Sequence, residues 1–287
     1  MAESLALHEG AYGRVALLRL HSGLVAHAHS DSHIVWWLGG AAAQTRIGTQ
    51  VVRYSSALAS AVNAYEQHDL TLTPDEGASV FLAFYISKDW LDRRSEVAGR
   101  PFVFSSLRIP IDSEMRAAAW QLLDMMTLRT EAAAVVETAV ETLLETTILA
   151  AQRDSRARGL RPTFPLLDHR LRRSITLMRR HVEARLTLDE LAHQASLSRA
   201  RLFDLFRDQL NTTPQVFWSA IRLEEAIKRL VRGNIALADV AHDLGFSAAS
   251  NFSRFFKEHT GVSPSEYRRA ATGTQRGLSD SLVSINP

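Results

Sequence analysis

The chain has 287 residues, 46% of them hydrophobic, enough for two cores of ordinary size. Cysteine is absent, which excludes disulfides, thiolate metal centres and thiol nucleophiles and fits a reducing compartment. The net charge of +2 is an average over unlike halves: residues 1–152 hold 11 Lys and Arg against 17 Asp and Glu, a net of −6, whereas residues 153–287 hold 22 against 14, a net of +8. The N-terminal "MAESLALHEG" has no basic segment leading into an apolar run, and apolar stretches such as "AAAVVETAVETLL" are broken by glutamate. The expectation is therefore a cytoplasmic protein with no membrane partner.

From Tyr12 to Ser87 the chain reads as short strands, "YGRVALLRL", "HIVWWLGG", "RIGTQVVRYS", "HDLTLTP" and "ASVFLAFYIS", separated by turn residues. That spacing predicts an all-β sandwich or barrel over residues 1–110. A helical segment follows over 111–152: Asp112 and Ser113 can cap it, and the pattern from Glu114 to Gln152 predicts two pieces with a break near Thr127 to Thr130. Glu137, Glu141 and Glu145 share one face, read as solvated rather than as a metal or acid/base array. Val136, Val140, Leu143, Leu144, Thr147 and Ile148 form an apolar stripe that must pack on the β-region or on a second copy, so a homodimer is expected. "RDSRARGLRPTFP" then interrupts the periodicity and sets a linker at 153–167. A helical domain is expected over 168–272 and a flexible tail over 273–287.

The helical domain nearly repeats itself. "LAHQASLS" at 191–198 aligns with "VAHDLGFS" at 240–247 at an offset of 49; beyond the serines the offset is 50, pairing Leu202 with Phe252, Phe206 with Phe256 and Pro214 with Pro264. Each copy has helix-turn-helix grammar: a first helix with small residues that allow close crossing, a short turn, and a second helix. Gly245 can take the positive φ of the turn, Phe246 fills the corner, and Ser247 is expected to cap the second helix; Ser196, Leu197 and Ser198 hold these places in the first copy. Between the copies, Thr213 and Pro214 open a helix that stops at Gly233 and is long enough to brace both.

"IRLEEAIKRL", "LADVAHDLGFSAASNFSRFFKEHTGVSPSEYRR" and "LTLDELAHQASLSRARLFDLF" resemble the DNA-binding domain of the AraC/XylS family of bacterial transcription regulators, over roughly residues 170 to 270. The resemblance implies two helix-turn-helix subdomains joined by a long helix, activation of promoters through contact with RNA polymerase, and an N-terminal cupin-like β-barrel that binds a small-molecule effector and dimerises. The expected fold is thus α+β and multidomain, with a cupin-like barrel, a helical dimerisation segment and an all-α domain carrying two helix-turn-helix motifs. Two alternatives are a regulator with no effector, controlled by dimerisation or a partner protein, and a metal-dependent cupin enzyme fused to a DNA-binding module. Basic charge gathered in the C-terminal half fits promoter DNA as partner, because neutralised phosphates release their counterions.

On the second recognition helix, Phe252, Phe255 and Phe256 are expected to face inward and Ser247, Ser250, Asn251, Arg254 and Lys257 outward, with Ala249 permitting close approach. Arg254 suits bidentate contact with guanine, Asn251 pairs with adenine or a phosphate, and Ser247 and Lys257 grip the backbone. In the first copy Ser198, Arg199, Ala200, Arg201 and Phe203 carry over as groove-facing positions; Phe203 either touches a thymine methyl or packs inward. Asp204 stands where the family commonly has arginine and is repelled by phosphates unless it meets a cytosine amino group or pairs with Arg201 or Arg207.

In the β-region, His27, His29 and His33 lie in "HAHSDSH" and His68 follows later, but the glutamate that usually completes a cupin metal motif is missing. These histidines are read as pocket or strand-edge groups, with no metal and no cofactor. Trp36 and Trp37 must face opposite sides of a strand. The expected effector pocket is His29, His33, Trp36, Arg46, Tyr54, His68 and Phe84. No catalytic residues are assigned, and the chain is read as no enzyme.

Overall fold

Every strand segment expected between Tyr12 and Ser87 forms in the computed structural model, which describes residues 3–73, 77–95, 101–128, 131–161, 167–183, 186–232 and 235–272. The strands are β1 (Glu3–Gly10), β2 (Gly13–Leu20), β3 (Leu24–His27), β4 (Ser32–Gly40), β5 (Ala43–Ile47), β6 (Gln50–Arg53), β7 (Leu58–Val62), β8 (His68–Leu72), β9 (Ser79–Ile86) and β10 (Arg108–Pro110). β1, β3, β7 and β10 lie outside the expected segments; β7, "LASAV", has little intrinsic strand preference and is held by pairing with β4 and β10.

These strands build two sheets, not one closed barrel. One has the order β1-β2-β9-β4-β7-β10 and the other β3-β8-β5-β6, and among the described residues no ladder joins them. The closed barrel implied by the resemblance is corrected on this point, because among the described residues β3, β8, β5 and β6 form ladders only with one another. Strand parity then divides the larger sheet. Ile34, Trp36, Leu82 and Phe84 point to one face and join a core with Met115, Leu122, Val140, Leu144 and Ile148. Val35, Phe81 and Ala83 point to the other, toward Leu70 and Leu72 of the smaller sheet.

The helices covering the first face are α2 (Ser113–Leu128) and α3 (Ala133–Ala157), preceded by the short α1 (Lys88–Asp92). Asp112 Oδ1 accepts from the Met115 amide at 2.8 Å, the expected cap. Of the two partners open to the apolar stripe of α3, the β-sheet is the one it meets. The acidic stripe is not simply solvated: Glu137 accepts from the Ala11 amide at 3.2 Å, Glu141 from Trp90 Nε1 at 3.1 Å, and Glu145 pairs with Arg94. Its carboxylates therefore tie α3 to the β-region and to α1 beside the stripe. The expected linker starts later than Arg153, because α3 keeps its ladder to Ala157 and Asp154 Oδ2 accepts from Ser106 Oγ at 2.8 Å. Residues 162–166 of that segment, Arg129 and Thr130 of the expected break, Gly233 and the tail 273–287 lie outside the described residues.

The C-terminal part is all helix: α4 (His169–Arg180), α5 (Leu188–Gln194), α6 (Arg199–Leu210), α7 (Pro214–Arg232), α8 (Leu237–Asp243), α9 (Ala249–Thr260) and α10 (Pro264–Thr272). α7 braces both copies, as its length predicted: Phe217, Trp218 and Ile221 enter the core of the first, while Leu223, Ala226, Ile227 and Leu230 enter that of the second. This domain also packs on the β-region. Tyr65 stacks on Phe217 at 4.1 Å between ring centroids, α10 lies along β1, and α9 and α7 lie against β3. No helix among the described residues is long and apolar enough to cross a membrane.

Candidate nucleic-acid interface and effector pocket

The two helix-turn-helix copies match in backbone as well as in sequence. At the first turn Ser196 has φ 59° and Gly245 φ 78°; after the second helix Asn211 has φ 49° and Gly261 φ 79°. In each turn an amide reaches back to the same alanine carbonyl, Leu197 to Ala192 and Phe246 to Ala241, both at 2.9 Å. The left-handed requirement is thus common to both copies, and glycine meets it without a Cβ penalty only in the second. Ser196→Gly is accordingly expected to raise stability by about 0.5–1 kcal/mol in chemical denaturation. A loss of stability would mean that the serine hydroxyl contributes more than its backbone costs.

The caps differ. Ser198 Oγ accepts from the Arg201 amide at 3.2 Å and caps α6 as expected. Ser247 does not cap α9: Ala248 occupies the N-cap with no side-chain hydrogen bond, because the residue inserted in the second copy moves the helix start one position on. Ser247 Oγ instead accepts from Asn251 Nδ2 at 2.8 Å, and Asn251 Oδ1 accepts from Arg254 Nη2 at 3.2 Å. This chain holds the guanidinium along the outer face of α9.

Phe252 and Phe256 are fully buried; Phe255 is half-buried and packs on Phe246 at 5.0 Å and His259 at 4.3 Å, so it borders the core instead of filling it. Ser247, Ala249, Ser250, Arg254 and Lys257 are exposed and Asn251 is half-buried. On α6, Ser198, Arg199, Ala200 and Arg201 are exposed, while Phe203 is half-buried with the Arg199 guanidinium 5.5 Å from its ring. Asp204 pairs with Arg207 at 2.6 Å, one of the two partners expected to offset its charge. Every position assigned to DNA therefore lies on or at the edge of an outward helix face.

The expected effector residues are split by strand parity. A cavity between the sheets is lined by His29, His33, Tyr54 and His68, together with His27, Leu18, Val35, Phe81 and Tyr85. Trp36 and Phe84 are excluded from it, since they sit on the opposite face in the core beneath α2 and α3. Arg46 is excluded too: its side chain is exposed on the surface beside Asp69, Gly48 and Asn211. His27 and Tyr85 were missed as pocket residues, and parity was the available signal. His33 and Tyr85 are direct cross-strand partners, as are Ile34 and Phe84, so placing His33 in the pocket assigns Tyr85 to it and removes Phe84.

His27, His29, His33 and His68 are all buried. Burial, reinforced by the neighbouring rings, pushes His33 and His68 down to about 3 and holds His27 and His29 well below the usual imidazole range. His27 Nδ1 bonds the Val25 carbonyl at 2.6 Å and His68 Nδ1 the Glu66 carbonyl at 2.9 Å. A carbonyl only accepts, so each Nδ1 carries the proton and each Nε2 presents a lone pair.

Two tandem helix-turn-helix units with outward, basic second helices, braced by one long helix, define a DNA-binding domain. A family model described as a helix-turn-helix domain matches residues 191–270. The raffinose operon transcriptional regulatory protein RafR of Pediococcus pentosaceus is 38% identical over 84 residues, 29% of this chain and 30% of that protein. The HTH-type transcriptional regulator ArgR of Pseudomonas aeruginosa is 30% identical over 104 residues, 36% of this chain and 32% of that protein. The matched stretches span about a third of these relatives. An apo variant of ToxT from Vibrio cholerae superposes with a TM-score of 0.61 at 13% identity, covering 92% of this chain and 99% of that one. The unsaturated fatty acid-bound wild-type ToxT gives 0.59 at 15%, covering 96% and 99%. These two likenesses establish the shared two-domain fold, a sheet-rich N-terminal domain followed by a helical one. Residues 191–270 thus form a helix-turn-helix domain similar to those of these transcription regulators.

Proposed function

We propose that the protein is a sequence-specific, effector-responsive transcription activator in the cytoplasm. Its two recognition helices enter successive major-groove segments of promoter DNA, and its DNA-bound form contacts RNA polymerase. The observation that carries this reading is the repeated unit itself: α6 and α9, each with an outward polar and basic face, are fixed to one brace, α7. DNA contacts are assigned to Ser198, Arg199, Ala200, Arg201 and Phe203 on the first copy and to Ser247, Ala249, Ser250, Asn251, Arg254 and Lys257 on the second. Asp204, already neutralised by Arg207, leaves the first copy the weaker reader.

The cavity between the sheets is the proposed effector site, in a domain whose paired sheets suit a cupin-like ancestry. One of the ToxT structures holds an unsaturated fatty acid, which supports ligand control in a protein of this architecture. Contact of the β-region with α7, α9 and α10 gives an occupant of the cavity a direct route to the DNA-binding domain. Dimerisation, where it occurs, has the α2–α3 surface available, with Val135 and Leu149 exposed on α3.

Fluorescence anisotropy of the full chain on promoter fragments, repeated across salt concentrations, tests this. Binding is expected to weaken steeply with salt, with a residual preference for one sequence over scrambled DNA of about 10³-fold or more. Equal affinity for scrambled DNA would refute sequence-specific regulation. The regulator reading is favoured over the metal-dependent enzyme alternative because the relatives of its C-terminal domain are transcription regulators.

A further inference from the structure

The cavity brings together the histidines that the sequence analysis read as carrying no metal. His27, His29 and His68 each offer a ligand atom within 4.8 Å of the others, and all three are buried. His33 joins them, with ring centroids 5.0 Å from His29 and 4.6 Å from His68; His27 lies 4.3 Å from His68 and 4.8 Å from His29. Imidazoles around one ion, bonded at about 2.0–2.1 Å, hold their ring centroids roughly 4.5–5.2 Å apart. The observed spacings, with His29 and His68 at 5.3 Å, fall in or close to that range.

The surroundings fit a ligand set better than a polar core. His29 lies edge to face with His27 and His33, His68 is tilted against all three, and His33 Nδ1 is buried without a well-formed hydrogen bond. His27 and His68 are oriented by backbone carbonyls at Nδ1, the arrangement that fixes the tautomer and aims Nε2 at a metal. The free space beside them is about 50 Å³, room for a few waters or an ion with its waters and far below the 300 Å³ or so of a drug-sized ligand site.

We propose that His27, His29 and His68, with His33 as fourth ligand, bind a divalent transition-metal ion, and that this ion is the effector. All-nitrogen coordination suits zinc, nickel, cobalt or copper and disfavours magnesium and calcium, which require oxygen. The route to the DNA-binding domain is short. His259, on the last turn of α9, places its ring 6.0 Å from that of His27 and packs on Phe255 at the edge of the same helix that carries Arg254. An ion that fixes the His27 ring therefore bears directly on the seating of the second recognition helix. The effector role rests on the DNA-binding reading above; the metal site does not.

The test uses untagged full-length protein stripped with chelator and titrated with Co²⁺, then Zn²⁺, with Mg²⁺ as control. The expected result is one Co²⁺ per chain with ligand-field absorption of a low-coordinate nitrogen site, displaced by Zn²⁺ and unaffected by Mg²⁺. His27→Asn with His68→Asn should weaken binding at least 100-fold, whereas His193→Asn, an exposed histidine, should not change it. If the double variant fails to fold, the wild-type spectrum decides: a folded protein with no Co²⁺ bands overturns the proposal. Zn²⁺ is further expected to change the affinity for the preferred DNA about 5- to 100-fold, and His259→Gln to reduce that change while retaining the metal. Metal binding with unchanged DNA affinity would overturn the effector role. Failure to bind DNA with or without metal would instead refute the proposed function, and the Co²⁺ spectrum would still report on the site.

Discussion

Arg254→Ala is expected to weaken binding to the preferred DNA by about 1–3 kcal/mol, roughly 5- to 150-fold, and to erase discrimination at one base pair. The magnitude follows from how the side chain is held. Asn251 receives a hydrogen bond from the guanidinium and passes one to Ser247, so much of the rotamer freedom of Arg254 is removed before DNA arrives. Phe252 and Phe256 anchor the same helix from the opposite face. Lysine should not substitute, since it lacks the planar fork that matches guanine. Anisotropy on the preferred site and on single-base variants measures the effect. Uniform weakening across all sequences would place Arg254 on a phosphate, and no weakening would remove it from the interface.

Phe217→Ala carries the largest expected cost to stability, about 3–5 kcal/mol. The ring is 1% exposed, lies in the core of the first copy against Phe206 of α6 at 5.3 Å, and stacks on Tyr65 of the β-region at 4.1 Å. Removing it opens a cavity at the joint of brace, reading helix and β-region together. Denaturation should show both the loss of stability and, if the joint couples the domains, two transitions where the wild type has one. Phe217→Leu keeps most of the volume and should cost far less, about 1.5 kcal/mol or below. A cost under 1 kcal/mol for alanine would show that the contact contributes little.

The helical half was legible because its signals are local and repeated. Apolar spacing, the 49- and 50-residue offsets and turn chemistry at Gly245 each fix a helix or a corner within a few residues, and the structure follows them. Two local expectations failed: Ser247 as cap, where the inserted residue shifts the start of α9 to Ala249, and Phe255 as an inward residue, which borders the core. In the β-region the strands with branched and aromatic residues were visible, while β7 with its alanines and the four-residue β3 were not, since non-local pairing specifies them.

The pocket was half legible for a similar reason. Trp36 and Phe84 were assigned by aromatic size, but strand parity sends them beneath α2 and α3, whereas His29, His33, Tyr54 and His68 do face the cavity. That the four histidines converge depends on β3, β4 and β8 lying together across two sheets, and no sequence spacing states that. The approach of His259 depends in turn on how α9 docks against β3.

Selection of DNA from a random pool by the full chain, in parallel with Arg254→Ala, tests the central claim most directly. Two conserved blocks about one helical turn, 10–10.5 base pairs, apart are predicted for the wild type, the sharper one losing its preference in the variant while the other persists. A single block, no enrichment, or an identical pair of blocks from both proteins would contradict two reading helices fixed on one brace with Arg254 as the principal reader.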